Sequence, residues 1–164
     1  MRVLWAPWRM AYVGGPKDPR CIFCLGADFD PRAELVLYED PASVVLLNRY
    51  PYASVHLMVA PRSHVGDPCA LDAGAFRAVT DLVRDTIGIL REEYGPDGFN
   101  VGLNLGRAAG AGFEDHFHWH VVPRWHGDTN FMPLLADVRV LPEHLERTYD
   151  RLRPRFESRK VRSA

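Results

Sequence analysis

Three histidines occupy every second position of the segment HFHWHVV, which begins at His116 and continues through His118 and His120. Alternate residues of a β-strand share one face, so a strand here would place the three imidazoles in a row at intervals of roughly 7 Å. A neutral imidazole can bind a metal ion, and it can also attack phosphorus near neutral pH without a separate base. The run therefore predicts either a three-histidine metal site of hydrolytic type or nucleophilic catalysis by one imidazole. A third interpretation is a half-exposed strand whose polar residues happen to be histidine.

A second group of potential ligands begins with CIFC, in which Cys21 and Cys24 have the usual spacing of two thiolates on one metal ion. The pair could also be a redox couple or two unrelated thiols. With Cys69 the chain has three cysteines, a number that does not suit a secreted disulfide framework. The cysteines therefore favour a reducing compartment, and we expect a cytoplasmic protein.

A glycine- and alanine-rich segment, GRAAGAG at residues 106–112, leads into the histidine run. Its glycines, among them Gly110 and Gly112, allow backbone N–H groups to approach an anion closely, and Arg107 adds a positive charge. The segment is therefore a candidate phosphate-binding loop, although such segments are also common as plain turns. Asn104 lies on the polar face of the strand predicted before it, so that face is open to a polar ligand.

Length and charge narrow the possible classes of protein. The 164 residues suffice for one domain with a sizeable core, and we treat residues 1–164 as a single domain. The formal net charge is -1, so a local site must bind any anionic ligand, and a nucleic-acid-coating role is disfavoured. No run of 18 apolar residues exists, so we expect no membrane-spanning helix.

Strands must position the histidines. Alternating patterns predict strands at residues 34–40, 43–50, 56–61 and 98–106, and the second and third of these are joined as a hairpin. His56 begins one of these strands and is assigned a local hydrogen-bonding role. The residues between the histidines are expected to pack beneath a helix: Phe117, Trp119 and Val121. Residues 1–30, rich in Pro, Gly and Trp, are expected to form an irregular N-terminal extension that carries CIFC.

Two helices complete the predicted fold. Apolar residues recur at helical spacing from Phe76 to Tyr94, with Asp72 as a start signal and Gly95 as a stop signal. The segment LPEHLERTYDRLRPRF predicts a C-terminal helix that Pro154 ends or kinks. The predicted class is therefore α+β, a mostly antiparallel sheet with one long central helix and a C-terminal helix.

The segment HFHWHVV matches, at all seven positions, the signature of the histidine-triad (HIT) superfamily of nucleotide hydrolases and transferases, in which His alternates with apolar residues. The resemblance extends over most of the chain, through LLNRYPY, HLMVAPRSH, VGLNLG and VPRWHGDTNF. LWAPWRMAYV and VVPRWHGDTNF are most similar to the branch that contains diadenosine tetraphosphate phosphorylase-like proteins.

The resemblance implies a role for several residues. His118 would attack the α-phosphate and carry a covalent nucleotidyl group, while His120 would contact the scissile phosphate. Asn104 would contact phosphate, and Asn48 would hold the ribose hydroxyls, unless its amide caps local backbone. Leu47 and nearby apolar residues would enclose the base.

The resemblance also implies a zinc ion. Zinc-bearing members use a Cys, Cys, His, His set, so Cys21, Cys24, His64 and His116 would hold the metal. Four protein ligands leave no open position for water, so this zinc would be structural. The resemblance further implies a homodimer whose sheets are joined across the two-fold axis.

One feature departs from the family pattern. Many hydrolases of this superfamily carry a Gln-Ser pair before the triad, whereas this chain has GAGFED, which favours a transferase or phosphorylase. We therefore expect diadenosine polyphosphate phosphorylase activity. The alternatives are an AMP-forming hydrolase of dinucleoside polyphosphates or nucleoside phosphoramidates, and a zinc-stabilised nucleotide-binding module. The residues leave open whether Glu114 or Asp115 takes part in acid catalysis. For Trp5 and Trp8, packing within the protein is favoured over stacking on a base.

Overall fold

The computed structural model describes residues 20–128 and 143–162, with the side chains of 159–162 excepted. Trp5, Trp8, most of the expected N-terminal extension and the segment 129–142 lie outside the described residues. Within the described part of the chain, no helix is both long enough and apolar enough to cross a membrane.

A five-stranded sheet forms the centre of the fold, with its strands in the order β1-β2-β3-β5-β4. Every pair of neighbouring strands is antiparallel. The predicted strands are all present but shorter than predicted: β1 is Val36–Glu39, β2 is Ser43–Leu47, β3 is Leu57–Pro61 and β4 is Gly98–Leu103, while β5 is Trp119–Arg124. The α+β class is confirmed, and β5, which contains His120, lies between β3 and the edge strand β4.

The central helix, α1 (Ala73–Tyr94), begins and ends where its signals predict. The Asp72 carboxylate accepts hydrogen bonds from the N–H groups of Gly74 and Ala75, each at 2.9 Å. The helix ends at Gly95, whose φ of 53° lies in the left-handed region that glycine adopts at little cost. The cap residues therefore set both helix boundaries.

The C-terminal helix, α2 (Leu145–Arg162), continues through Pro154, so the prediction that the helix could end there is wrong. Proline removes a backbone hydrogen bond and normally disfavours a helix interior. Here Leu152 and Phe156, on either side of the proline, are fully buried. Arg153 also donates to the carbonyl oxygen of Val36 on β1, with an Nη1–O distance of 2.8 Å. Tertiary packing on both sides of the proline outweighs its local cost.

Different parts of the chain cover the two faces of the sheet. Buried side chains of both helices pack with Leu47 and Val121 on one face, and Trp119 packs against the same cluster, as predicted. Phe23, from the CIFC segment, packs on the opposite face. Phe117 is also buried. Strands β2 and β3 are buried along their whole length because both of their faces are covered.

The edge strand β4 is more exposed than its apolar pattern predicts. Phe99 packs against the helix-side cluster, whereas Val101 and Leu105 are 40% and 41% exposed. Val101 pairs with Val121 across the ladder, so it points to the face that the pattern predicts. The difference arises because β4 has a neighbouring strand on one side only.

Candidate active site and metal cluster

Only the last of the three histidines lies within a strand. Strand β5 begins at Trp119, so His116 and His118 precede it, and the prediction that all three share one strand is wrong. The physical reason is a different partner for the backbone: the N–H of Phe117 donates to the carbonyl oxygen of Val65, in the loop after β3. The ring centroids of His118 and His120 are 4.8 Å apart, closer than a regular strand would place them.

The two cysteines of CIFC lie beside two histidines that are distant in sequence. Cys21 Sγ is 3.2 Å from His116 Nδ1, and Cys24 Sγ is 3.2 Å from His64 Nδ1. The four ligand atoms all lie within 4.8 Å of one another. The predicted ligands Cys21, Cys24, His64 and His116 are therefore brought together, and we refer to these four residues as the Cys/His cluster.

His116 presents the correct ring nitrogen to this cluster. Its Nε2 is 2.9 Å from the carbonyl oxygen of Pro61, a group that can only accept, so Nε2 carries the proton. Nδ1 is then unprotonated and faces the thiols. Burial lowers the pKa of His116 to about 4, so the ring is neutral near neutral pH. A neutral nitrogen and two thiols, joined by His64, make a donor set that fits tetrahedral zinc.

The backbone of His116 orients the next histidine. His118 Nδ1 is 3.0 Å from the His116 carbonyl oxygen, so Nδ1 carries the proton and the lone pair is on Nε2. His118 is 5% exposed, and burial lowers the pKa of its imidazole. The ring of Phe23 packs on it at a centroid distance of 4.7 Å. His118 is thus a neutral imidazole held in one tautomer, as a nucleophile needs.

His56 is a buried member of the site, and a local role for it was too narrow an interpretation. Its Nδ1 accepts a hydrogen bond from the Tyr52 N–H at 3.1 Å, so its Nε2 carries the proton. That Nε2 lies 3.0 Å from His120 Nδ1 and therefore donates to it. His120 is left with its proton on Nε2. A signal for this role is the position of His56 one residue before β3, whose Met58 pairs with His120.

A pocket lies beside His118 and His120 and is also lined by Leu47, Asn48 and Gly112. Five predicted site residues therefore share one cavity. The other three predicted nucleotide-binding residues are on the surrounding segments and do not line it: Asn104, Arg107 and Gly110.

Two predicted residues also make local contacts. Asn48 Oδ1 accepts a hydrogen bond from the Tyr50 N–H at 2.8 Å, and its Nδ2 lies 3.2 Å from His56 Nδ1. Its amide therefore caps local backbone while it lines the pocket. Arg107 forms an ion pair with Glu114 at 2.7 Å across the glycine-rich loop. The Glu114 carboxylate is thus engaged by a cation.

Close packing connects the loop after β3 to the end of the glycine-rich segment. A Cβ atom on Gly66 would lie 2.4 Å from the carbonyl oxygen of Glu114, so only glycine fits. Two residues near the pocket have left-handed backbone without being glycine: Leu35, which lines the pocket, and Val55, which precedes His56, each with φ of 58°. Such a conformation is costly for a β-branched residue and persists where surrounding structure imposes it.

Comparison with known proteins shows which family shares this architecture. A family model described as HIT domain matches residues 32–127. The chain is 35% identical over 157 residues to AP-4-A phosphorylase of Mycobacterium tuberculosis (strain CDC 1551 / Oshkosh), covering 88% of this chain and 79% of that protein. It is 30% identical over 105 residues to an adenosine 5'-monophosphoramidase of Schizosaccharomyces pombe, covering 63% and 74%. The crystal structure of a zinc-bound histidine triad family protein from Mycobacterium smegmatis matches with a TM-score of 0.62 at 26% identity, covering 77% and 86%.

Proposed function

The chain belongs to the HIT domain family and is an enzyme, and from this premise we propose that it transfers a nucleotidyl group from a dinucleoside polyphosphate to inorganic phosphate. The activity would be that of a diadenosine polyphosphate phosphorylase. The observation that carries the proposal is the fixed tautomer of His118. Its Nδ1–H is held by a carbonyl, so its Nε2 lone pair is free beside the pocket.

In the first step, His118 Nε2 attacks the α-phosphorus and forms a P–N bond. The bond from that phosphorus to the bridging oxygen breaks, and the remaining nucleotide departs with the electron pair. A terminal phosphate oxygen is a stable anion near neutral pH, so the leaving group needs no proton. The imidazole becomes positively charged, and the His116 carbonyl oxygen, which accepts from its Nδ1–H, stabilises that charge.

In the second step, an oxygen of inorganic phosphate attacks the same phosphorus. The P–N bond breaks, the lone pair returns to His118, and a nucleoside diphosphate leaves. His120 directs its Nε2–H at the phosphate oxygens in both steps, because His56 occupies its Nδ1. His120 acts as a hydrogen-bond donor, since loss of its one ring proton would leave an anion.

The pocket walls support a nucleoside at this position. We propose that Leu47 and its apolar neighbours enclose the base, and that Asn48 faces the ribose. The phosphates would then lie against His118, His120 and Gly112. Asn104, Arg107 and Gly110 do not line the pocket, so their proposed contacts require longer phosphate chains that reach beyond it.

Mass spectrometry after brief incubation with diadenosine tetraphosphate tests the intermediate. We expect an AMP adduct in the wild-type chain and none in His118→Asn. The matched control is His126→Asn, since the side chain of His126 is 92% exposed, and this variant should form the adduct normally. A wild-type chain that binds the dinucleotide but forms neither adduct nor product would instead be a nucleotide-binding module.

Hydrolysis is the second candidate function, favoured by the match to a phosphoramidase. Water and phosphate compete for the same nucleotidyl-histidine, so the products distinguish the two reactions. With phosphate present, the phosphorylase yields ADP, and without phosphate the adduct should persist. AMP formed at the same rate with and without phosphate, and no ADP, would establish the hydrolase.

We propose that the Cys/His cluster holds a structural zinc ion. When bound, zinc would supply a crosslink with no open coordination position. Cys21 and Cys24 would bind as thiolates, and His64 and His116 through Nδ1. The donor set and the tautomer of His116 support this assignment.

Two further proposals concern assembly and location. We propose a homodimer in which edge strands β4 meet, because exposed Val101 and Leu105 lie on and just after that strand. Sedimentation of the wild type and of Val101→Lys tests this: the variant should shift towards the monomer. Cys21, Cys24 and Cys69 form no disulfide, which supports a cytoplasmic location.

A further inference from the structure

The loop between β2 and β3 places two exposed side chains at the edge of the nucleotide pocket. Arg49 and Tyr50 line the same pocket as His118 and His120. Both side chains are exposed, and Tyr50, at 53%, is more exposed than the other large apolar side chains in the described part of the chain. The proposed transfer reaction does not use either residue.

Buried apolar side chains form another part of the pocket lining. Leu46, Leu47 and Met58 all line it and are at most 5% exposed. This buried lining suits the base of the nucleoside that stays on the enzyme, because burial of the base removes apolar surface from water. The part of the substrate beyond the scissile bond must then extend towards the exposed edge.

The position of His120 indicates on which side of the pocket the departing nucleotide lies. The ring of Tyr52 lies 5.4 Å from that of His120, centroid to centroid, so the loop containing Arg49 and Tyr50 borders the histidine that contacts the phosphates. Hydrogen bonds hold this loop: the Tyr50 N–H donates to Asn48, and the Tyr52 N–H donates to His56. The exposed ring is therefore carried on a fixed backbone.

We infer that Arg49 and Tyr50 form a subsite for the departing nucleotide, with Arg49 beside its polyphosphate and Tyr50 stacked on its base. The inference rests on the proposed function and assigns the residues that recognise the second nucleoside of its substrate. An aromatic ring stacks on any base, because every base has a π-face. Arg49 Nη2 donates to the carbonyl oxygen of Ala33 at 2.7 Å, a neutral acceptor that leaves the charge of the guanidinium uncompensated at this contact.

Two substrates distinguish a contact with the second base from a contact with the phosphates. Diadenosine tetraphosphate and adenosine 5'-tetraphosphate have the same number of phosphates, but only the first has a second nucleoside. We expect Tyr50→Ala to raise KM for diadenosine tetraphosphate by roughly tenfold with little change in kcat, since stacking binds ground state and transition state alike. Values for adenosine 5'-tetraphosphate should not change. Tyr50→Phe keeps the ring and should restore the wild-type KM.

Arg49→Ala is the companion variant, and it should raise KM for both substrates because both carry the polyphosphate. An equal loss on both substrates in Tyr50→Ala would overturn the inference, and so would no loss on either. A failure of the proposed function looks different, because the wild-type chain itself would then form no adduct with either substrate. A wild-type KM for adenosine 5'-tetraphosphate that equals or is lower than the KM for the dinucleotide would also overturn the subsite.

Discussion

The hydrogen-bond chain from Tyr52 through His56 to His120 predicts that two amide substitutions of His56 have opposite effects. In His56→Gln, the amide nitrogen can reach the position of Nε2 and donate to His120, but the Tyr52 N–H loses its acceptor. In His56→Asn, the amide oxygen can reach the position of Nδ1 and accept from Tyr52, but His120 loses its donor. One variant preserves the contact to the active site and the other preserves the contact to the loop.

The sizes of the two effects follow from burial. His56 is 1% exposed, so little water can reach its side of either contact. An unsatisfied buried group costs about 1–3 kcal/mol. In His56→Asn this cost falls on the orientation of His120 and corresponds to a loss of roughly 10- to 100-fold in kcat. In His56→Gln the cost falls on the Tyr52 N–H in the loop between β2 and β3. It lowers the free energy of unfolding by about 1–3 kcal/mol, while most of kcat remains.

Steady-state kinetics with diadenosine tetraphosphate and phosphate, together with urea denaturation, measure both effects. His126→Asn is the control, because its ring is exposed and pairs with Asp97 at 2.9 Å, and it should change neither kcat nor stability appreciably. The reasoning is refuted if His56→Gln and His56→Asn lower kcat equally. It is also refuted if His56→Asn is the less stable and the more active of the two.

Two other predictions concern backbone strain and the metal. Val55→Gly should be no more destabilising than Val55→Ala in urea denaturation, because glycine relieves a left-handed conformation that costs other residues roughly 1–2 kcal/mol. At the control position Val59, which lies in a strand, the glycine variant should be less stable than the alanine variant by about 1 kcal/mol. If the glycine and alanine variants differ in stability by the same amount at Val55 and at Val59, backbone strain at Val55 is refuted. Cys24→Ser should lower zinc content measured by elemental analysis and lose about 4 kcal/mol of stability at zinc concentrations near 1,000 times the dissociation constant. Cys69→Ser, outside the cluster and exposed, should bind zinc as the wild type does, and zinc retained in full by Cys24→Ser would contradict the ligand assignment.

Local patterns predict the elements of this fold well where a side chain sets the boundary. Asp72 and Gly95 limit α1 through a hydrogen-bonded cap and a left-handed residue, and both signals can be read directly. Pro154 misleads because its local cost is visible in the sequence, whereas the burial of Leu152 and Phe156 that offsets this cost depends on tertiary structure. Exposure of β4 escapes prediction for a similar reason: the pattern gives the face of a residue, but not the place of its strand in the sheet.

The site is predictable in its residue types and less so in its geometry. A period of two identifies His118 and His120 as neighbours, but it cannot indicate that the strand begins only at Trp119. The start depends on the hydrogen bond from Phe117 to Val65, a contact between segments separated by some fifty residues. His56 is undervalued because a single histidine before a strand has no periodic partner. Its partner, His120, lies on a different strand.

The Cys/His cluster and His118, the proposed nucleophile, are mechanically linked, because His116 belongs to the cluster and also contacts His118. The His116 ring faces the thiols, while its carbonyl oxygen fixes the tautomer of His118. Phe23, between the two cysteines, packs on the His118 ring, so CIFC constrains the proposed nucleophile by a second route. Ile22 of CIFC is one lining residue of the proposed base pocket, whereas the buried lining residues Leu46, Leu47 and Met58 lie on β2 and β3, which do not depend on CIFC for their pairing. Disruption of the cluster should therefore slow formation of the nucleotidyl adduct far more than it weakens binding of the nucleoside.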